Sequence, residues 1–150
     1  MAAPLGSPLA RQKDQTSPTV EGIGLQPLLS EAFDHSRVTA LRHVVASAAA
    51  SAGLAGQRLD DFVMAVNELL TNAVRHGGGT GHVALWRSGA AVVCEVSDRG
   101  DGLERPDPAV RPAPEVPGGW GLWLAGELTD ELEIKSSQQG TAVRITSRVF

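Results

Sequence analysis

Residues 59–79, LDDFVMAVNELLTNAVRHGGG, decide how this chain is read. Phe62, Val66, Leu69 and Ala73 recur at i, i+4, i+7 and i+11, the spacing that places them on one apolar stripe of an amphipathic helix. Glu68, Asn72 and His76 follow at four-residue intervals and form a second, polar row beside it, each one turn from the next. A helix that only fills a core has no need of that row. Its plain structural alternative is a solvated face closed by His76 and Gly77, since a glycine just past a helix end commonly takes the left-handed conformation.

Working outward, the short link Gly53 to Gln57 predicts an antiparallel helical neighbour upstream. That neighbour is expected from His35 to about Ala52, with Asp34 as its N-cap, Val38, Leu41 and Val45 on its buried face, and Gly53 as its end. Leu28 to Phe33 reads as a short strand before it. Downstream, His82 to Arg87 and Ala91 to Ser97 alternate apolar and polar residues with the period of strands, joined as a hairpin at Ser88-Gly89-Ala90. Asp98 to Gly102, DRGDG, stops the second strand. Pro106, Pro108, Pro112, Pro114, Pro117 and Gly118 then rule out a continuous helix between Arg105 and Gly119, which reads as a lid, because a loop of that length is usually functional. Leu122 to Leu128 returns to helix, and Leu132 to Lys135 with Ala142 to Ser147 forms a second hairpin around Gln138-Gln139-Gly140. This order predicts an α+β fold with helices layered on one face of a sheet. Residues 1–27, with Pro4, Pro8, Pro18 and Pro27 and no apolar period, are expected to be a disordered tail, and residues 28–150 a single domain.

The composition is that of a globular protein, with 42% hydrophobic and 20% charged residues. A net charge of −4 without a Lys/Arg cluster argues against direct nucleic-acid binding, which needs a concentrated positive surface. No apolar run reaches the ~20 residues of a membrane-spanning helix, and the N-terminal residues lack the features of a secretory signal, so the expected location is the cytoplasm. The single cysteine, Cys94, sits in an apolar run and reads as a buried structural thiol. There is no G-x-x-x-x-G-K-[ST] loop, no H-E-x-x-H and no paired-cysteine metal site.

Three separated segments call for one explanation: Glu68-Leu69-Leu70-Thr71-Asn72-Ala73-Val74-Arg75-His76, the turn Asp98-Arg99-Gly100-Asp101-Gly102, and the helix entry Gly118-Gly119-Trp120-Gly121-Leu122. Each has an ordinary role of its own: a solvated helix face, a strand-ending turn whose glycines supply positive φ, and a flexible loop end. Together they resemble the GHKL, or Bergerat-fold, ATP-binding superfamily of gyrases, histidine kinases and MutL. Within it the likeness is greatest to the small anti-sigma-factor serine/threonine kinases and their actinobacterial relatives, and it spans about residues 28–147.

The resemblance implies a two-layer α/β sandwich, helices on one face of a mostly antiparallel mixed sheet, that binds ATP with Mg²⁺. Carried over residue by residue, it makes Glu68 the catalytic carboxylate at the γ-phosphate and Asn72 the Mg²⁺ ligand. One neutral protein ligand suffices for an ion that keeps waters and takes phosphate oxygens. His76 closes the first motif on the nucleotide, Asp98 accepts a bond from the adenine amino group, and Gly100 and Gly102 let the backbone approach the base. Gly119, Gly121 and Leu122 form the helix entry where a phosphate would sit, and Thr141 assists Asp98 through water. The implied partners are a sigma factor and an anti-anti-sigma antagonist of the STAS type, and homodimers are common in the family. Trp120 departs from the pattern, standing where many relatives carry a basic residue. Two other readings are kept open: a scaffold of the same fold with weak or lost nucleotide binding, and a detached ATPase module of a sensor histidine kinase. No histidine has the flanks of a self-phosphorylation site, which disfavours a complete histidine kinase.

Overall fold

The alternating segments pair into a sheet, and the helical stretches cover one of its faces. The structure, a computed structural model, describes residues 27–100 and 120–150; the tail expected over residues 1–27, except its last residue Pro27, the lid expected between Arg105 and Gly119, and the two glycines Gly102 and Gly119 lie outside the described residues. The strands are β1 (Leu29–Asp34), β2 (Thr80–Ser88), β3 (Ala91–Asp98), β4 (Glu131–Ser137) and β5 (Gly140–Arg148), and the helices are α1 (Val38–Ser51), α2 (Gly56–His76) and α3 (Trp120–Leu128). The strands form a five-stranded sheet in the order β1-β2-β3-β5-β4. All its pairings are antiparallel, so the parallel element of a mixed sheet does not occur among the described strands.

Alternation assigns the two faces. Val83 and Leu85 of β2, Val92, Cys94 and Val96 of β3, and Val143 and Ile145 of β5 are buried with the helices. From α2 they meet Phe62, Val66, Leu69 and Ala73, the predicted stripe, widened by buried Ala65 and Leu70. Leu41 and Val45 of α1 and Leu122 and Ala125 of α3 complete this core. Trp123 is only half-buried. Cys94 lies fully inside, where burial pushes its thiol pKa up and keeps it unreactive. On the other face Ala84, Trp86 and Val93 make a small separate cluster, with the Arg144 guanidinium 5.3 Å from the Trp86 ring centre.

Boundaries differ from the sequence reading for local reasons. Asp34 does cap, accepting from Ser36 N at 2.9 Å, but it caps a 3-10 turn over His35–Arg37, and the α-helix begins at Val38. The long helix starts at Gly56, three residues before its apolar pattern, on an Ala55 cap that offers no side-chain bond. β2 begins at Thr80 because its first residues pair with Asp34 and Phe33 across the sheet edge.

One ionic tie fastens α2 to the far end of the sheet. Asp130 accepts from the backbone N–H of Arg148 at 2.7 Å and from Arg58 Nη1 at 3.0 Å, and Arg148 Nη2 lies 3.5 Å away. The Arg148 amide, then the Arg148 and Arg58 charges, hold its pKa below the ordinary 3.8 against the opposing effect of burial. A depressed folded-state pKa contributes stability above the unfolded value and loses it as pH falls through the folded one. Asp130→Asn is therefore expected to cost about 1–2 kcal/mol at pH 7. In urea melts the difference from the native protein should fade as pH falls below the ordinary carboxylate range.

Candidate functional site

The polar row of α2 runs along the last turns of the helix, and both other motif segments meet it there. Glu68 and Asn72 are half-buried and His76 is exposed. Thr71 turns its hydroxyl back onto the carbonyls of Asn67 and Glu68 at 3.0 and 3.1 Å, which removes it from the row. Among the described residues, nothing hydrogen-bonds the carboxylate of Glu68 or the carboxamide of Asn72.

The first turn of α3 rests on Glu68. A Cβ placed on Gly121 would lie 2.8 Å from Glu68 Oε1, so this helix start lies directly against the carboxylate. Leu122, the next residue, is 2% exposed and packs in the core, which leaves its backbone N–H as the only part that could face a ligand.

At the other end of the row, Asp98 closes β3 against the end of α2. It is 9% exposed, and its Oδ1 accepts from Gly100 N at 3.0 Å, the turn that the DRGDG sequence announces. Space, more than φ, explains the glycines here. A Cβ on Gly77 would overlap the Cγ and Cβ of Asp98 and the carbonyl oxygen of Ala73. One on Gly100 would lie 2.7 Å from Gly77 Cα and 2.9 Å from the His76 carbonyl oxygen. Gly77 has φ −106, not the left-handed conformation expected of it; Gly78 and Gly79 take that conformation instead, at φ 89 and 94. Gly100 likewise is absent from the glycines of positive φ.

Thr141 lies directly across β5 from Asp98, 3% exposed, and its Oγ1 is 3.0 Å from Ser136 Oγ. Gly140, at φ 142, has no room for a Cβ beside the Asp98 carbonyl oxygen. Glu68, Asn72, His76, Asp98, Gly100, Gly121 and Thr141 are thus gathered along one helix end and the adjoining ends of β3 and β5. Glu68 and Gly77 are nine residues apart, about 13 Å along the axis. Gly77, Gly140 and Ser136 are members of this cluster that sequence reasoning did not place in it. The first two carried only turn signals, and Ser136 shows its neighbour only once the hairpin register is set.

Helices on one face of an antiparallel sheet, with polar side chains converging at the end of the long central helix, define a two-layer α+β domain. Residues 32–147 match the histidine kinase-like ATPase domain family, and the chain belongs to that family. It is 32% identical over 118 residues to an anti-sigma F factor of Thermoanaerobacter sp. (strain X514), covering 72% of this chain and 82% of that protein. The anti-sigma F factor of Thermoanaerobacter pseudethanolicus (strain ATCC 33223 / 39E) matches to the same extent. Among solved structures, the RsbU and RsbW domains of Rv1364c from Mycobacterium tuberculosis superpose with a TM-score of 0.62 at 27% identity, over 82% of this chain and 32% of that one. The Acinetobacter baumannii histidine kinase AdeS shares the fold, with a TM-score of 0.52 at 16% identity over 87% of this chain and 72% of that one. No helix among the described residues is long and apolar enough to cross a membrane.

Proposed function

We propose that this protein is a cytoplasmic anti-sigma regulator that binds Mg·ATP and transfers the γ-phosphoryl group to a serine or threonine of an anti-anti-sigma antagonist while holding a sigma factor. The observation that carries this reading is the convergence of Asn72, Glu68 and Asp98 on the last turns of α2, with the polar atoms of Asn72 and Glu68 unbonded by the described residues. The similarity to anti-sigma F factors supplies the class of partner.

The residues present suit the ligand. Among the described residues no cluster of three or more His, Cys, Asp or Glu could hold a metal alone, so a divalent ion here would depend on phosphate oxygens and water. That is the habit of Mg²⁺, and the Asn72 amide oxygen is a sufficient protein ligand. When bound, the ion would neutralise the charge that develops on the transferred phosphoryl group. Asp98 would accept from the exocyclic amino group that adenine has and guanine lacks at that place. Gly121 N–H and its neighbours at the start of α3 would face phosphate oxygens, with the helix dipole favouring an anion. Glu68 would orient the attacking hydroxyl and take its proton.

Titration calorimetry with ATP and Mg²⁺ tests the base of the proposal. The native protein is expected to release heat saturably, and Asn72→Ala to weaken binding about tenfold, a loss of about 1.4 kcal/mol. No heat from the native protein, or undiminished binding by Asn72→Ala, rejects it. Incubation with labelled ATP and a candidate antagonist then separates the enzyme from the alternatives. Acid-stable phosphate on the antagonist marks the serine/threonine kinase, no transfer marks a scaffold, and acid-labile phosphate marks a histidine-directed module.

A further inference from the structure

Ser136 lies on the edge strand β4, exposed, and a sequence reading gives it no role. In the sheet it stands directly opposite Thr141, and Thr141 stands directly opposite Asp98, so the three side chains form one row across β4, β5 and β3 on the helix-facing side. Opposed residues in such pairs have Cβ atoms about 4.5–5.5 Å apart, close enough for each to set its neighbour's conformation. A hydroxyl carries one proton and two acceptor positions. At 3% exposure, Thr141 must spend part of that capacity on a protein partner, and Ser136 Oγ, at 3.0 Å, is one.

We infer that Ser136 is a positioning residue for purine discrimination: by holding the Thr141 hydroxyl in one orientation it aims that group at the base edge beside Asp98. The inference rests on the nucleotide reading of the site. Its logic is that a free rotor serves a donor or an acceptor equally, whereas a rotor fixed by a neighbour favours one. Adenine and guanine present opposite groups at this place, an amino donor against a carbonyl acceptor. With Thr141 donating its proton to Ser136 Oγ, the orientation on which the inference depends, only acceptor positions are left facing the base, and these suit the adenine amino group and not the guanine carbonyl. Because Ser136 is exposed on an edge strand, the sheet does not need its hydroxyl for packing.

Dissociation constants for ATP and GTP, measured with Mg²⁺ by calorimetry and competition, test this in four proteins: native, Ser136→Ala, Thr141→Val and the double variant. Ser136→Ala is expected to shrink the ATP-over-GTP affinity ratio about threefold to tenfold, the worth of one hydrogen bond. Its melting temperature without nucleotide should stay within about 2 °C of native, less than a destabilisation of 1 kcal/mol would produce in a domain this size. Ser136→Thr, which keeps the hydroxyl, should restore the ratio. In the Thr141→Val background the Ser136→Ala effect should vanish, because the residue acts through Thr141. A native protein that prefers ATP while Ser136→Ala leaves the ratio unchanged overturns the inference and spares the nucleotide reading. A Ser136 effect that persists in full without the Thr141 hydroxyl also overturns it. A native protein that binds neither nucleotide overturns both.

Discussion

Glu68→Gln is expected to slow phosphoryl transfer to the antagonist about 10²–10⁴-fold, the usual worth of a positioned general base. Glutamine keeps the length and shape of the side chain, so its contact with the Gly121 turn should survive and the nucleotide site should keep its form. What disappears is the ability to take a proton from the attacking hydroxyl. Nucleotide affinity should therefore stay within about twofold of native while the turnover rate collapses, the pattern of an interaction made only in the transition state. The rate of label transfer at saturating ATP, set beside the calorimetric affinity, makes the measurement. An unchanged rate would remove Glu68 from the chemistry. A parallel loss of affinity would instead make it a binding residue, acting through its contact with the start of α3.

The fold was largely legible because its signals are local. The i, i+4, i+7 spacing of Phe62, Val66 and Leu69 sets which side of α2 is buried, and the period-two pattern of Val92, Cys94 and Val96 does the same for β3. The stretches read as strands and helices occur where they were expected, and the family match covers residues 32–147. Boundaries were less legible: α2 begins at Gly56 without a side-chain cap, so no residue marks its start. The candidate site was legible only as motifs. Gly77, Gly100 and Gly121 looked like turn residues because glycine usually signals backbone freedom. In the structure Gly77 and Gly100 are small because another segment presses on them, Asp98 on Gly77 and the helix end on Gly100, while Gly121 lies against the end of the Glu68 side chain. Long-range contact of this kind leaves no trace in the local sequence, and the same is true of Ser136. Its pairing with Thr141 follows from the β4–β5 register, which sets Ser137 against Gly140.

Gly77 gives the sharpest test of whether these contacts build a binding site or only a turn. A methyl group there would overlap Asp98 Cγ and Cβ and the Ala73 carbonyl oxygen, at a place flanked by the end of α2 on one side and Gly100 on the other. φ −106 is open to alanine, so the conflict is one of volume and not of backbone conformation. Either α2 frays by a turn or Asp98 leaves its place. Both routes carry the cost of overpacking, about 1–3 kcal/mol, readable as a lower midpoint in urea. Under the nucleotide reading, displacement of Asp98 also removes a hydrogen bond between a charged group and the base. Such a bond is worth about 1.5–3 kcal/mol, so ATP affinity should fall about tenfold to a hundredfold in Gly77→Ala. A turn with no ligand role predicts the stability loss alone. Gly78→Ala supplies the comparison: its Cβ would meet nothing within 4 Å, but its φ of 89 strains any other residue. It should therefore lose stability, through strain of about 1–2 kcal/mol, with ATP affinity kept. Equal losses of affinity in the two variants would show that binding follows the stability of the helix end, and would take from Asp98 its place at the base.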